Sequence, residues 1–115
     1  MTADSHLVEF VEYFNRQAYF EAHDVLEEFW LTTRGERRDF YKGLIQTAVA
    51  LLKLQQGKTA PASTLAQRAA SHLQKYGPVC EGINVHLILG WLQDVIRGRN
   101  IVADGPPLRL EISTR

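Results

Sequence analysis

The segment Tyr19-Phe20-Glu21-Ala22-His23-Asp24-Val25-Leu26-Glu27-Glu28-Phe29-Trp30 sets one histidine among four carboxylates. On a helix, at about 100° per residue, His23 and Glu27 are neighbours four apart, on the border of the apolar face beside Trp30. That pair has two chemical uses. Histidine changes charge nearest neutral pH, so His23 is the natural base or metal ligand, and Glu27 the group that orients or charge-stabilises it. Glu21 points about 160° away from His23 on the same wheel, so it joins such a site only through another element. The alternative is a hydrogen-bonded pair that orients the helix.

A second polar candidate interrupts the most apolar stretch of the chain. Lys42, Gln46, Val49 and Lys53 share one helix face at i, i+4, i+7 and i+11, and Gln46 is flanked by apolar turns. Gln46 is thus a candidate partner for His23 or Glu27, the alternative being a solvated edge, which the two flanking lysines favour. Gly43, Thr47 and Ala50 form a small-residue stripe, and glycine within a helix costs about 1 kcal/mol against alanine, which favours close helix packing there. Nucleophilic chemistry has no carrier. Cys80 has no histidine nearby in sequence, Ser71 cannot face the adjacent His72 on a helix, and no glycine-rich phosphate loop occurs.

Positioning these residues falls to helices, because apolar residues recur at helical spacing through nearly the whole chain. Leu7, Phe10, Val11 and Phe14 mark a first helix capped near Asp4 or Ser5 and stopped around Asn15. The second runs from about Tyr19 to Leu31. The third, about Glu36 to Gln56, carries Phe40, Leu44, Ala48, Leu51 and Leu52 and is expected at the centre. Thr59 and Pro61 start a fourth helix that continues to about Tyr76, with Leu65, Ala69 and Leu73 inward. After a loop through Cys80 and Gly82, Asn84 caps a fifth helix over Val85, Ile88, Leu89, Leu92, Val95 and Ile96. Leu108 to Ile112 alternates like a strand, but one short strand has no partner, so it is expected as an extended tail on the helices. The fold class is all-α: a compact array of about five helices with short loops, one domain over 1–115, with Trp30 and Leu51 in the core.

Composition narrows the function classes. The 115 residues carry 13 Lys plus Arg and 13 Asp plus Glu, so no net charge drives the chain onto nucleic acid or an anionic membrane. One cysteine supports neither an internal disulfide nor the usual zinc frameworks. No apolar run approaches a membrane span and the amino terminus lacks a signal-peptide layout, which predicts a cytoplasmic protein. Charge is nevertheless segregated. Residues 1–31 hold seven acidic side chains against Arg16, whereas residues 34–68 hold seven basic ones against Glu36 and Asp39. The simplest expectation is that the two blocks complement each other across exposed edges.

Taken as strings, Tyr19-Phe20-Glu21-Ala22-His23, Leu26-Glu27, Trp30, then Tyr41-Lys42-Gly43-Leu44-Ile45-Gln46-Thr47-Ala48 and Gly57-Lys58 resemble the small helical proteins called domain of unknown function 309. The likeness spans roughly Phe14 to Ile83. Family members usually have Gly-Asn at the Gly57-Lys58 position and Asp at Asn84. The resemblance implies an all-helical cytoplasmic protein and assigns no activity. Two readings therefore stand. One is a structural or interaction module that self-associates, as a homodimer, around a His23–Glu27–Gln46 network. The other is a metal-binding or acid-base, hydrolase-like enzyme using His23 and Glu27, with a divalent metal as cofactor and Glu21, Trp30, Lys42 and Gln46 nearby. The dimer is expected because the apolar faces of the first and fifth helices and the Gly43 stripe exceed what a chain of this size easily covers. The sequence specifies no small-molecule ligand.

Overall fold

The computed structural model describes residues 3–113. The apolar stripes become five helices. Helix α1 (Ala3–Asn15) buries Leu7, Phe10 and Phe14 completely, and α2 (Tyr19–Thr32) buries Tyr19, Ala22 and Leu26. Helix α3 (Arg38–Gln55) is the central one, with ten of its eighteen residues buried, including Leu51. Helix α4 (Thr59–Leu73) continues into a 3-10 turn, Gln74–Tyr76, and α5 (Val85–Ile96) closes the array. Each helix packs on its sequence neighbour, as short connections between antiparallel helices require. The Phe14 and Trp91 rings stack at 5.8 Å and join α5 back to α1.

Local chemistry sets several boundaries. Asn84 caps α5, its side chain accepting from the Leu87 N–H at 2.9 Å, so a donor of the first turn is satisfied. At the end of α2, Arg38 Nη1 donates to the Trp30 and Thr33 carbonyls at 3.0 Å each, adding to the Thr33 N–H that closes the helix on the Trp30 carbonyl. At Gly43 the side chain of Leu73 from α4 packs directly on the α3 backbone. A Cβ there would lie 2.6 Å from Leu73 Cγ, so only glycine admits the leucine, and the small-residue stripe is a packing feature.

Four expectations change. Helix α1 already runs at Ala3, which places Asp4 and Ser5 inside its first turn. The loop through Cys80 is a hairpin, β1 (Val79–Cys80) against β2 (Ile83–Asn84), because Glu81 and Gly82 both take positive φ, 50° and 80°, as a tight two-residue turn demands. The tail is packed on the helices as expected, yet it does find partners. Ile112 makes a β-bridge to Ile83, the Ser113 N–H donates to the Gly82 carbonyl at 3.0 Å, and the Asn15 amide grips Leu110 at both its N–H (2.8 Å) and its C=O (2.9 Å). Trp30 lies at the edge of the core, half-buried, packed against it on one side while cations of α3 lie over its ring.

The grounds for expecting a dimer also change. The apolar faces of α1 and α5 are covered within the chain, and Leu73 fills the Gly43 stripe. Exposed large apolar side chains are instead Phe20 (55%), Leu31 (61%), Val79 (60%) and Leu87 (39%).

Candidate functional site

The four-residue spacing on α2 brings His23 Nε2 to 3.3 Å from Glu27 Oε1, as the sequence predicts. His23 Nδ1 lies 2.8 Å from the Phe20 carbonyl, one turn earlier on the same helix. A ring nitrogen satisfies an oxygen acceptor only by carrying a proton. Both contacts close at once in the doubly protonated ring. In the neutral ring with hydrogen on Nδ1, the Phe20 carbonyl fixes the imidazole and Nε2 is left as a lone-pair donor beside the carboxylate. That second arrangement is the one metal ligands and general bases use. The pair is solvent-facing, with 20% of the His23 and 40% of the Glu27 side chain exposed, so water screens their attraction.

Gln46 does not serve this pair. Its Oε1 lies 2.8 Å from Nδ1 of His72 on α4, and no hydrogen bond joins it to His23 or Glu27 among the described residues. Periodicity pointed Gln46 out of the α3 core correctly, but α3 lies between two helices, and the half-buried stripe it leaves open adjoins α4 as well as α2. The polar residues thus form two pairs, His23–Glu27 and His72–Gln46. Glu21 is exposed and makes no hydrogen bond or ion pair among the described residues, in keeping with its position on the far flank of the wheel.

Trp30 and Lys42 come together in a different way. The Lys42 ammonium sits 4.3 Å and the Arg38 guanidinium 3.9 Å from the Trp30 ring, both from successive turns of α3. Such contacts contribute about 0.5–1 kcal/mol each at a wet site. The indole N–H is buried and has no partner within the described protein. As a metal site, His23 and Glu27 offer two donors, and no group of three His, Cys, Asp or Glu converges among the described residues. The protein thus brings two of the ligands such a site needs.

A cluster with no sequence signal lies at the hairpin. Tyr41 on α3 donates its hydroxyl to the Glu81 carboxylate, at 2.8 and 2.9 Å from its two oxygens, and Arg37 Nε reaches the same carboxylate at 3.1 Å. Burial, then the bond to Glu81, push the Tyr41 phenol far above its ordinary value. Burial likewise raises the neighbouring Cys80 thiol, which removes it as a nucleophile. Glu81 is separated from Tyr41 by forty residues and follows no helical period, so only the folded chain reveals the contact. At the start of α3, Asp39 and Lys75 pair at 2.8 Å, the lysine holding the carboxyl below its usual range. They line an open cleft of about 420 Å³ with Glu36 and Tyr76. A second cleft, about 510 Å³, lies between the tail and Val79, Asn84 and Leu87. Neither cleft is lined by His23, Glu27, Trp30 or Gln46.

The two charge blocks do not pair with each other. The ion pairs are His23–Glu27, Arg37–Glu81, Lys75–Asp39 and Arg99–Asp94, and among the described residues none links an acidic side chain of α1 or α2 to a Lys or Arg of α3 or α4. No described helix is long and apolar enough to cross a membrane.

An "Uncharacterized protein" of Aquifex aeolicus (strain VF5) is 28% identical over 101 residues, which are 87% of this chain and 30% of that relative. The chain therefore spans under a third of the length of the curated relative it matches. No solved structure matches it. The family described as "Domain of unknown function (DUF309)" matches residues 7–65, just over half the chain, from α1 into α4. The helices that carry His23, Glu27, Trp30, Lys42 and Gln46 are the ones that match, and the chain belongs to this family.

Proposed function

We propose that the chain is a single-domain cytoplasmic helical module that self-associates, and that its polar residues shape a contact surface instead of a catalytic centre. The observation that carries this reading is the exposed stripe on α2. Phe20 and Leu31 are more than half exposed, lie eleven residues apart and so project from one side of the helix, three turns or about 16 Å from each other. Large apolar side chains on an otherwise polar helix face gain most from a partner that covers them. The engagement of His23, Gln46 and Trp30 in contacts within the chain supports a structural role for each. Sedimentation from about 10 µM to about 1 mM, where weak dimers of this kind assemble, tests the reading. A dimer that is lost in Phe20→Ser and Leu31→Ser is expected. A single 13.1 kDa species throughout overturns it.

The bond from His23 Nδ1 to the Phe20 carbonyl favours a second reading, in which Nε2 and Glu27 hold a divalent metal whose other ligands come from solvent or another molecule. Titration calorimetry of the untagged protein with zinc tests it. Stoichiometric heat lost in His23→Ala supports this reading, and heat unchanged by the substitution removes it.

A further inference from the structure

The proposal of self-association leaves open which surface meets which. Helix α3 is buried on almost every side, and the stripe it leaves half-buried is Lys42, Gln46, Val49 and Lys53. Lys42 lies over Trp30, so this stripe borders the flank of α2 that carries His23 and Glu27. One face of the protein therefore presents an acidic row on α2, with Asp24 and Glu27, beside a basic row on α3, with Lys42 and Lys53. No ion pair within the chain joins the two rows among the described residues.

We infer that the α2–α3 face is the self-association surface, occupied by the same face of a second copy about a twofold axis, so that Asp24 and Glu27 of each copy lie over Lys42 and Lys53 of the other. This rests on the proposed self-association. A twofold contact matches a surface to itself, so the surface must be self-complementary. An acidic row alone repels its own copy. An acidic row beside a basic one becomes complementary when the axis passes between them, because α2 then crosses over the partner's α3 twice. Phe20 and Leu31 bracket the acidic row and supply the apolar cover that charge pairs alone do not, since exposed ion pairs contribute little. The formal net charge is zero, so no overall repulsion opposes the approach of two copies.

Paired charge reversals of the full chain test this. Asp24→Lys with Glu27→Lys makes both rows basic, and Lys42→Glu with Lys53→Glu makes both acidic. Each variant alone should dissociate at least about tenfold more readily than the parent protein, because like charges meet twice. An equimolar mixture should restore the dimer, since each basic row then meets an acidic one in both halves of the contact. Added salt should weaken the parent dimer and the mixed dimer alike. Lys42 touches Trp30, so if its reversal perturbs the helical spectrum, Asp24→Lys mixed with Lys53→Glu repeats the experiment. A parent protein that stays monomeric overturns the self-association reading and this inference with it. A parent dimer whose variants associate unchanged, or whose mixture stays dissociated, overturns the inference alone. A mixture that stays dissociated while the acidic row of the parent protein captures a basic amphipathic helical peptide overturns the inference and assigns the face to a different partner.

Discussion

Two polar regions of this protein are built in opposite ways. On α2, His23 and Glu27 are neighbours on one helix, both reach solvent, and their contact crosses a single turn. At the hairpin, Glu81 takes a left-handed backbone, its carboxylate is held by Tyr41 of α3 and by Arg37 just before that helix, and the tail passes over the adjacent Gly82. The local pair costs little to form and little to lose. The hairpin corner joins α3, the turn, the tail and, through Asn15, the end of α1, so removing one part strands the others. Residues at the α2 face are thus free to be selected for contact, while the hairpin corner ties Tyr41 of α3 to the turn and the tail.

Alkaline titration should have the largest effect, through two buried phenols, Tyr19 at the start of α2 and Tyr41 at the hairpin corner. Burial pushes the Tyr19 phenol up to about 12 from 10.0, and Tyr41 rises further still. A phenol whose value is raised on folding contributes stability that is fully present below about pH 10 and is lost as pH climbs through the folded value. Two pH units on one group amount to about 3 kcal/mol, so unfolding and tyrosinate absorbance should rise together above pH 10. Tyr41→Phe should flatten part of that dependence.

Gly82→Ala should cost about 2–3 kcal/mol in denaturant unfolding. The left-handed backbone charges about 1–2 of it, and the new Cβ meets the Ser113 backbone. Glu81→Ala should cost about 1–3 kcal/mol, since it strands the buried Tyr41 hydroxyl. Asn15→Ala should cost about 1–2 kcal/mol and raise hydrogen exchange at Leu110, because both backbone groups of that residue lose their partner. His23→Ala should change stability by less than about 0.5 kcal/mol, because Glu27 hydrates freely once the imidazole is gone. A loss above about 2 kcal/mol there would equate the two regions and defeat the comparison.

Much of this was legible in the chain because it is local. The 3.6-residue period identified all five helices. Asn84 announced its cap, and the i, i+4 spacing placed His23 against Glu27. Leu51 is fully buried where the central stripe put it. Gln46 shows where such reasoning stops. Its periodicity marks it as a polar break in an apolar helix, but whether it faces α2 or α4 depends on how α3 is rotated between them, and His72 captured it. Trp30 shows the same limit, because a large aromatic at helical spacing reads as core until two cations of the next helix are seen to cover it.

What the sequence determined by itself was the five helical segments, the Asn84 cap and the His23–Glu27 contact, since those follow from backbone periodicity and side-chain type over a few residues. The tertiary structure decided the pairings across the chain: Tyr41 with Glu81, Asn15 with Leu110, Gln46 with His72, and the side-by-side acidic and basic rows of α2 and α3. These depend on the rotation and close approach of packed helices. Burial of apolar side chains fixes that geometry for the molecule as a whole, and no single stretch of sequence encodes it.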